Sequence, residues 1–253
     1  LEFAAAATTM GKRVTVIESA DRMMSRAVSP LMSETYRCLH IAHGVEIRLG
    51  QDVAGLEQRG GQVTAVSLRD GCSIPADLVL LAIGAVPHDE LARAAGLACD
   101  RGIIVDSSGR TSDPVIFACG DCTATRLHDG SLRRLESVQS ALEQARSVAA
   151  AMMGKERPFL AAPWFWSDQY GVKLQMVGTS AGADHHVVRG NLANHEASVF
   201  CFRGEQLIGV DSMNRPADHM ASRKILDQRI GLTPEQAADE KFPLNRLVQK
   251  EPV

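Results

Sequence analysis

Glu18 closes the run Arg13–Glu18 (RVTVIE), a short β-branched stretch with the composition of a strand. In a dinucleotide-binding fold the acid after the second strand accepts hydrogen bonds from adenine-ribose hydroxyls, about 20 residues beyond a glycine-rich phosphate loop. A carboxylate suits two hydroxyl donors and repels a 2′-phosphate, so in that role Glu18 selects NADH over NADPH. A solvated Glu at a strand end has the same local sequence. The glycine loop that would decide between the two is absent: no two of the 21 glycines are separated by one residue, so no G-x-G occurs. Thr111–Cys122 (TSDPVIFACGDC) reads as a strand running into Gly120-Asp121. That would set a carboxylate at the C-terminal edge of a strand, where α/β sheets bind cofactors, with Gly120 letting the backbone approach a ligand closely. Taken singly, Gly-Asp is also a common turn. Arg134–Gln139 (RLESVQ) leads into a long helix whose first N–H groups and positive dipole end can face an electron-rich ring edge such as a flavin carbonyl. Glu136 and Ser137 read equally well as plain helix caps.

Trp164-Phe165-Trp166-Ser167-Asp168-Gln169 is the one dense aromatic cluster in a chain with 4% aromatics. A tryptophan face suits covering a flat cofactor; packing between domains is the competing role, favoured for Trp164. Cys119 and Cys122 form C-x-x-C, but no second pair has zinc spacing and the motif does not open a helix, so coincidence is the preferred reading. Gly178-Thr179-Ser180-Ala181-Gly182 matches G-x-S-x-G, with His185 and His186 nearby. A nucleophile elbow requires a helix after the turn, whereas HHVVRG reads as a strand, which argues against a serine hydrolase. None of the eight histidines has metal-ligand spacing.

The elements that must position these residues follow from periodicity. Leu1–Met10 is an Ala-rich helix stopped at Gly11, and Pro30–His43 has helical spacing of Leu31, Met32, Tyr36, Leu39, His40 and Ala42 between Pro30 and Gly44. Val45–Leu49 is a strand. Asp52–Arg59 and Gln62–Arg69 form a hairpin through Gly60-Gly61, and Leu78–Ile83 is a continuous apolar strand ending at Gly84. This order is a nucleotide-binding α/β pattern without its first strand. A short helix over Asp89–Ala95, short strands at Gly102–Asp106 and Val115–Ala118, and a helix over Glu136–Met153 follow. The last is expected to turn Val138, Ala141, Leu142, Ala145, Val148, Ala149 and Met152 to one side. Beyond Pro158 and Pro163 the composition changes. Leu174–Val177, His186–Arg189, Ala197–Phe202 and Leu207–Val210 suggest a small antiparallel sheet, with a helix over Pro216–Ile230 packed on it.

Length, 253 residues, allows one large domain or two to three small ones. Net charge of −3 argues against a nucleic-acid binder that works by bulk charge. No apolar run reaches the roughly 18 residues of a membrane span, and six cysteines are too sparse for a disulfide scaffold, so a cytoplasmic location is expected.

At TSDPVIFACGDC, RLESVQSALEQA and PWFWSDQY, in this order, the chain resembles the ferredoxin reductases of multicomponent oxygenases, and VTVIES, RTSDP and NRPADHMASRK also look like segments of that family. The likeness extends from Leu1 to about Leu226. It implies an α/β flavoprotein with two related Rossmann-like dinucleotide-binding domains, for FAD and NAD, and a small α+β C-terminal domain. Here they would be a partial NAD-binding domain over 1–84, the C-terminal half of the FAD-binding domain over 85–158, and the C-terminal domain over 159–253. NADH would reduce FAD, and the flavin would pass electrons singly to a [2Fe–2S] ferredoxin, with no side chain performing covalent chemistry. Carried over by motif, Asp121 is expected on the FAD ribityl hydroxyls and Gly120 against the FAD. Glu136, Ser137 and Val138 would sit beside the isoalloxazine, and Trp166 would cover it. Glu18 becomes the NAD ribose ligand, and Ile83 and Gly84 line the nicotinamide cleft.

The family has Asn where His88 follows Pro87, and commonly a small Ala at the position of Cys119. Its two glycine loops have no counterpart here, so the resemblance implies a truncated member that binds FAD weakly or not at all, for want of a loop to receive the pyrophosphate. Two other readings stand beside it. One is a non-enzymatic remnant that dimerises or docks a ferredoxin, and a homodimer is compatible with either role. The other is a related reductase with rubredoxin, a thiol or a peroxide as acceptor. Arg126, Arg133 and Arg134 could help dock an acidic ferredoxin, although exposed basic residues are more often simply solvated.

Overall fold

The computed structural model describes residues 1–127, 130–159 and 161–248. The chain packs as two units, Leu1–Ala82 together with Trp166–Val253, and Ile83–Phe165. The fold is mixed α/β.

The first segment runs α1 (Glu2–Thr9), β1 (Thr15–Glu18), α2 (Pro30–Ala42), β2 (Glu46–Leu49), β3 (Val53–Arg59), β4 (Gln62–Leu68) and β5 (Ser73–Pro75). β1 and β2 pair in parallel, with Glu18 opposite Leu49. Pro30 occupies the first turn of α2, and the Ser29 side chain caps it by accepting from the Met32 N–H. α2 buries Met32, Ser33, Tyr36, Leu39 and His40, the expected i, i+4, i+7 stripe, while Leu31 and Ala42 lie outside. β3, β4 and β5 form an antiparallel sheet whose first hairpin turns at Gly60 and Gly61, both at positive φ as the primed two-residue turns require. Val66, Leu68 and Ile74 make its core.

Leu78–Ile83 is not a strand. Leu78, Leu80, Leu81 and Ile83 are 75, 55, 67 and 89% exposed. An apolar run becomes a parallel strand only where a neighbour receives its N–H and C=O groups. Among the described residues β1 and β2 form a two-stranded sheet and no strand pairs with 78–83.

The second unit holds α3 (Glu90–Ala94), β6 (Ile103–Val105), β7 (Thr123–Arg126), β8 (Leu132–Arg133) and α4 (Val138–Met152). β6 pairs in parallel with β7, and β7 antiparallel with β8. The expected strand Val115–Ala118 is reduced to a single bridge between Arg110 and Phe117, again for want of a partner. The ladder is taken instead by Thr123–Arg126, so Gly120-Asp121 precedes a strand rather than ending one. α4 also departs from expectation. It buries Ser140, Gln144, Ser147 and Ala151, and leaves Val138, Leu142 and Met152 at 63, 53 and 68% exposure. Helical periodicity identifies a stripe but not the surface it meets, and here the surface includes loop backbone groups, at Gly120, Ser107 and Arg157, that bond to α4 side chains.

The C-terminal segment contains β9 (Trp164–Gln169), β10 (Val172–Gly178), β11 (His185–Asn191), β12 (Glu196–Arg203), β13 (Gln206–Met213), α5 (Pro216–Asp227), α6 (Pro234–Ala238) and α7 (Leu244–Leu247). The sheet order is β11-β12-β13-β10-β9. Leu174, Val199, Phe200, Phe202 and Met213 are fully buried, and α5 packs on β10 and β13. The aromatic run at Trp164 is thus a strand. Its two-residue connection to β10, Tyr170-Gly171, has positive φ at both positions.

Candidate functional site

In the first unit the C-terminal edge of β1 presents Glu18, half-buried. One of its carboxylate oxygens accepts from the Ala20 N–H at 3.0 Å, so the side chain turns along its own loop rather than straight into solvent. Trp166 is 46% exposed on β9. The polar residues after it are anchored. The Ser167 hydroxyl donates to Glu2 of α1 at 2.7 Å, and Gln169 Oε1 lies 2.7 Å from His40 Nε2 on α2. Burial holds the His40 imidazolium below its usual range, so the ring is neutral at pH 7 and donates to Gln169 through Nε2. The His43 ring stacks on Tyr170 with centroids 3.7 Å apart. Sequence reasoning missed His40, His43 and Tyr170 as partners of the FWSDQ segment. A buried polar position on an apolar helix face was the one available signal.

In the second unit the remaining candidates gather around Arg134. Its guanidinium donates to the carbonyls of Ala85 at 3.3 Å and Asp121 at 3.2 Å, and pairs with the Glu136 carboxylate. One side chain therefore ties together the stretch after Ile83-Gly84, the Gly120-Asp121 turn and the entry to α4. The sequence offers Arg134 as a docking residue for an acidic ferredoxin or as a solvated cation, and neither reading anticipates these contacts. Gly84 and Gly120 have φ of +102° and +87°, a region closed to most side chains. Nothing lies within 4 Å of where a Cβ at Gly120 would stand, so the turn faces open space. Asp121 is exposed, Val138 is exposed at the first turn of α4, and Ser137 caps that helix by accepting from the Ser140 N–H at 3.1 Å. A carboxylate, an open glycine face and a helix start thus adjoin one arginine, which suits a polyhydroxyl chain bearing a ring with an electron-rich edge.

The competing motifs lose their chemistry. The Cys122 thiol donates to the Cys119 carbonyl at 3.5 Å, and burial pushes its ionisation up rather than activating it. No group of three metal-ligating side chains occurs among the described residues. Gly178–Gly182 joins β10 to β11 with no helix after it. A Cβ on Gly178 would stand 2.2 Å from the Ile208 carbonyl oxygen, so this glycine is required by close strand approach and not by a nucleophile.

Residues 1–145 match the pyridine nucleotide-disulphide oxidoreductase family, and residues 164–248 match the reductase C-terminal family. Rhodocoxin reductase of Rhodococcus erythropolis is 48% identical over 251 residues, covering 99% of this chain and 59% of the relative. The crystal structure of the ferredoxin reductase for the CYP199A2 system from Rhodopseudomonas palustris superposes with a TM-score of 0.94 at 45% identity, over 98% of this chain and 62% of that one. The covalent putidaredoxin reductase–putidaredoxin complex gives a TM-score of 0.92 at 43% identity, over 97% and 60%. The chain therefore spans about three fifths of the length of these relatives. With the nucleotide-type β1–α2–β2 segment, the Arg134 cluster and the C-terminal sheet all falling within matched regions, the chain belongs to the pyridine nucleotide-disulphide oxidoreductase family.

Proposed function

We propose that the protein carrying this chain is an NADH-dependent ferredoxin reductase. It takes electrons from NADH through FAD and delivers them to a [2Fe–2S] ferredoxin of an oxygenase system. The observation that carries the reading is the convergence on Arg134 of the three segments, after Gly84, at Gly120-Asp121 and at Glu136, that resemble the cofactor-lining motifs of this group. The similarity to rhodocoxin reductase and to a reductase captured with its ferredoxin supports the acceptor. The division into 1–84, 85–158 and 159–253, a cytoplasmic location and a homodimer belong to the same proposal. The six free cysteines and the absence, among the described residues, of a helix long and apolar enough to cross a membrane agree with it.

The residues present fit FAD at its ribityl and ring portions. Asp121 would accept hydrogen bonds from ribityl hydroxyls, Gly120 would let the backbone lie against the group, and the α4 start with Glu136, Ser137 and Val138 would present donors to the ring edge. By the motif it resembles, Trp166 would cover the ring. Glu18 would accept from the NAD ribose hydroxyls and discriminate against a 2′-phosphate, and Ile83 and Gly84 would, by the resemblance, line the nicotinamide cleft. FAD, when bound, supplies the conversion of a hydride into two single-electron transfers. The pyrophosphate has no glycine loop among these 253 residues, so the chain alone should hold FAD weakly.

The test is a fusion that places the upstream two fifths of rhodocoxin reductase ahead of Leu1. It should purify yellow, bleach under anaerobic NADH and reduce a [2Fe–2S] ferredoxin faster than a rubredoxin. Failure to retain flavin, or flavin indifferent to NADH, sinks the proposal. Within it, Glu18→Arg is expected to reverse the preference for NADH over NADPH by roughly tenfold or more, read as the ratio of kcat/KM values.

A further inference from the structure

The face that α4 buries is polar, and a buried polar group is retained at a cost unless it is hydrogen-bonded. Gln144 is 8% exposed, and its Oε1 accepts from the Gly120 N–H at 2.6 Å. A backbone N–H can only donate, so the carboxamide oxygen must face it. The Thr123 hydroxyl lies 3.1 Å from the same oxygen and 2.8 Å from the Gly120 carbonyl. Gly120 is thus held at both ends of its own residue, the N–H by Gln144 and the carbonyl by Thr123.

No neighbour lies within 4 Å of where a Cβ at Gly120 would stand, and its φ of +87° is one that glycine adopts at little cost. With no side chain of its own, a glycine in an open turn takes much of its orientation from its hydrogen bonds. Asp121, the next residue, is exposed, and its direction is set by the Gly120–Asp121 peptide. Gln144 sits 24 residues away on the rigid helix that also begins at the proposed ring edge.

We infer that Gln144 is a positioning residue. It touches no cofactor, but through the Gly120 N–H it aims the Asp121 carboxylate at the ribityl hydroxyls and fixes that turn relative to the start of α4. The inference rests on the flavin reading above and adds to it a residue on the buried side of the helix, about two turns beyond Ser137–Val138.

The discriminating pair is Gln144→Met, of similar length with no comparable acceptor, and Gln144→Glu, which keeps an acceptor oxygen. Both are made in the rhodocoxin-reductase fusion and, in parallel, in the chain alone. In the fusion, Gln144→Met should weaken FAD retention about tenfold, read as recovery of free-flavin fluorescence, and blur the vibronic structure of the visible band. Gln144→Glu should stay within about threefold of the parent. In the chain alone, amide exchange at Gly120 should quicken about tenfold in Gln144→Met and not in Gln144→Glu. Equal FAD retention in parent and Gln144→Met, or equal loss in both variants, overturns the inference and leaves the flavin reading standing. A parent fusion that holds no FAD removes the flavin reading and this inference with it. Should Gln144→Met not fold, Gln144→Glu decides alone: retention within threefold supports the inference, and loss from a folded protein overturns it.

Discussion

Arg189→Met is expected to lower the free energy of unfolding by about 3–5 kcal/mol, the usual cost of breaking a buried, paired charge. Arg189 is 5% exposed on β11. Its guanidinium donates to four backbone carbonyls of one segment, those of Ala237, Asp239, Glu240 and Phe242, and its Nε lies 3.5 Å from the Asp218 carboxylate. Asp218 is in turn held by the Ser198 hydroxyl at 3.1 Å and by Arg215 at 2.9 Å. Methionine keeps the apolar stem in contact with its surroundings, so the loss isolates the hydrogen bonds. Four carbonyls of 237–242 would lose the guanidinium, with that of Asp239 keeping the Phe242 N–H, and Asp218 would lose one of its two arginines. Arg189→Lys should recover little, because a compact ammonium cannot span four carbonyls with a planar fork. Urea unfolding measures the global loss, and cleavage at Lys241 by trypsin measures the local one. A variant within 1 kcal/mol of the parent and equally resistant to trypsin would show that α6 and α7 are held by packing alone.

Asp211→Asn is expected to act in the opposite direction, stabilising the chain by up to about 3 kcal/mol at pH 7.5 and up to about 1 kcal/mol at pH 4.5. Asp211 lies on β13, 3% exposed, and accepts from the Ser29 N–H at 2.7 Å. Burial lifts its carboxyl from 3.8 to about 6, opposed by the hydrogen bonds from Ser29 and by the charge of Arg22. Between these values the folded chain holds a proton that the unfolded chain has released, so folding stability falls as pH rises from 3.8 through 6. Above 6 both states are ionised and the whole penalty of the buried charge is present. Asparagine carries no charge yet offers Ser29 an acceptor oxygen. The Arg22 attraction is given up, which is why the figures are ceilings. Urea unfolding of parent and variant at the two pH values checks the prediction. A difference independent of pH, or a destabilised variant at pH 7.5, would mean that Asp211 is ionised at no net cost.

Both residues are legible in the sequence only as charges on apolar strands. Asp211 meets Ser29 across 182 positions, and Arg189 meets a loop about 50 positions away. No local pattern reports such partners. The same limit explains the misread elements. Leu78–Ile83 and Val115–Ala118 have strand composition, but a strand is a state of pairing, and neither run has a ladder partner among the described residues. For α4 the 3.6-residue period correctly located a helix and an apolar stripe, yet Val138, Leu142 and Met152 face outward while Gln144 and Ser147 face in. The Ser147 hydroxyl lies within hydrogen-bond reach of the Arg157 and Ser107 carbonyls, as Gln144 does of the Gly120 N–H. Hydrogen-bond demand from the loops set the orientation of the helix, and hydropathy does not record that demand.

The sequence by itself determined what is local. Side-chain periods placed α1, α2, β1–β4 and the C-terminal meander, because dihedral preference and alternation act over a few residues. Gly60-Gly61 specified its own hairpin because few residues tolerate two successive positive φ values. The ordered motifs, as text, were enough to point to the family. Only the tertiary structure decided which face of α4 is inside, that Arg134 joins Ala85, Asp121 and Glu136, and that Gln144 holds the Gly120 turn. Each of these depends on polar groups of one segment meeting a side chain from another, and the matching of such groups exists only once the chain has folded.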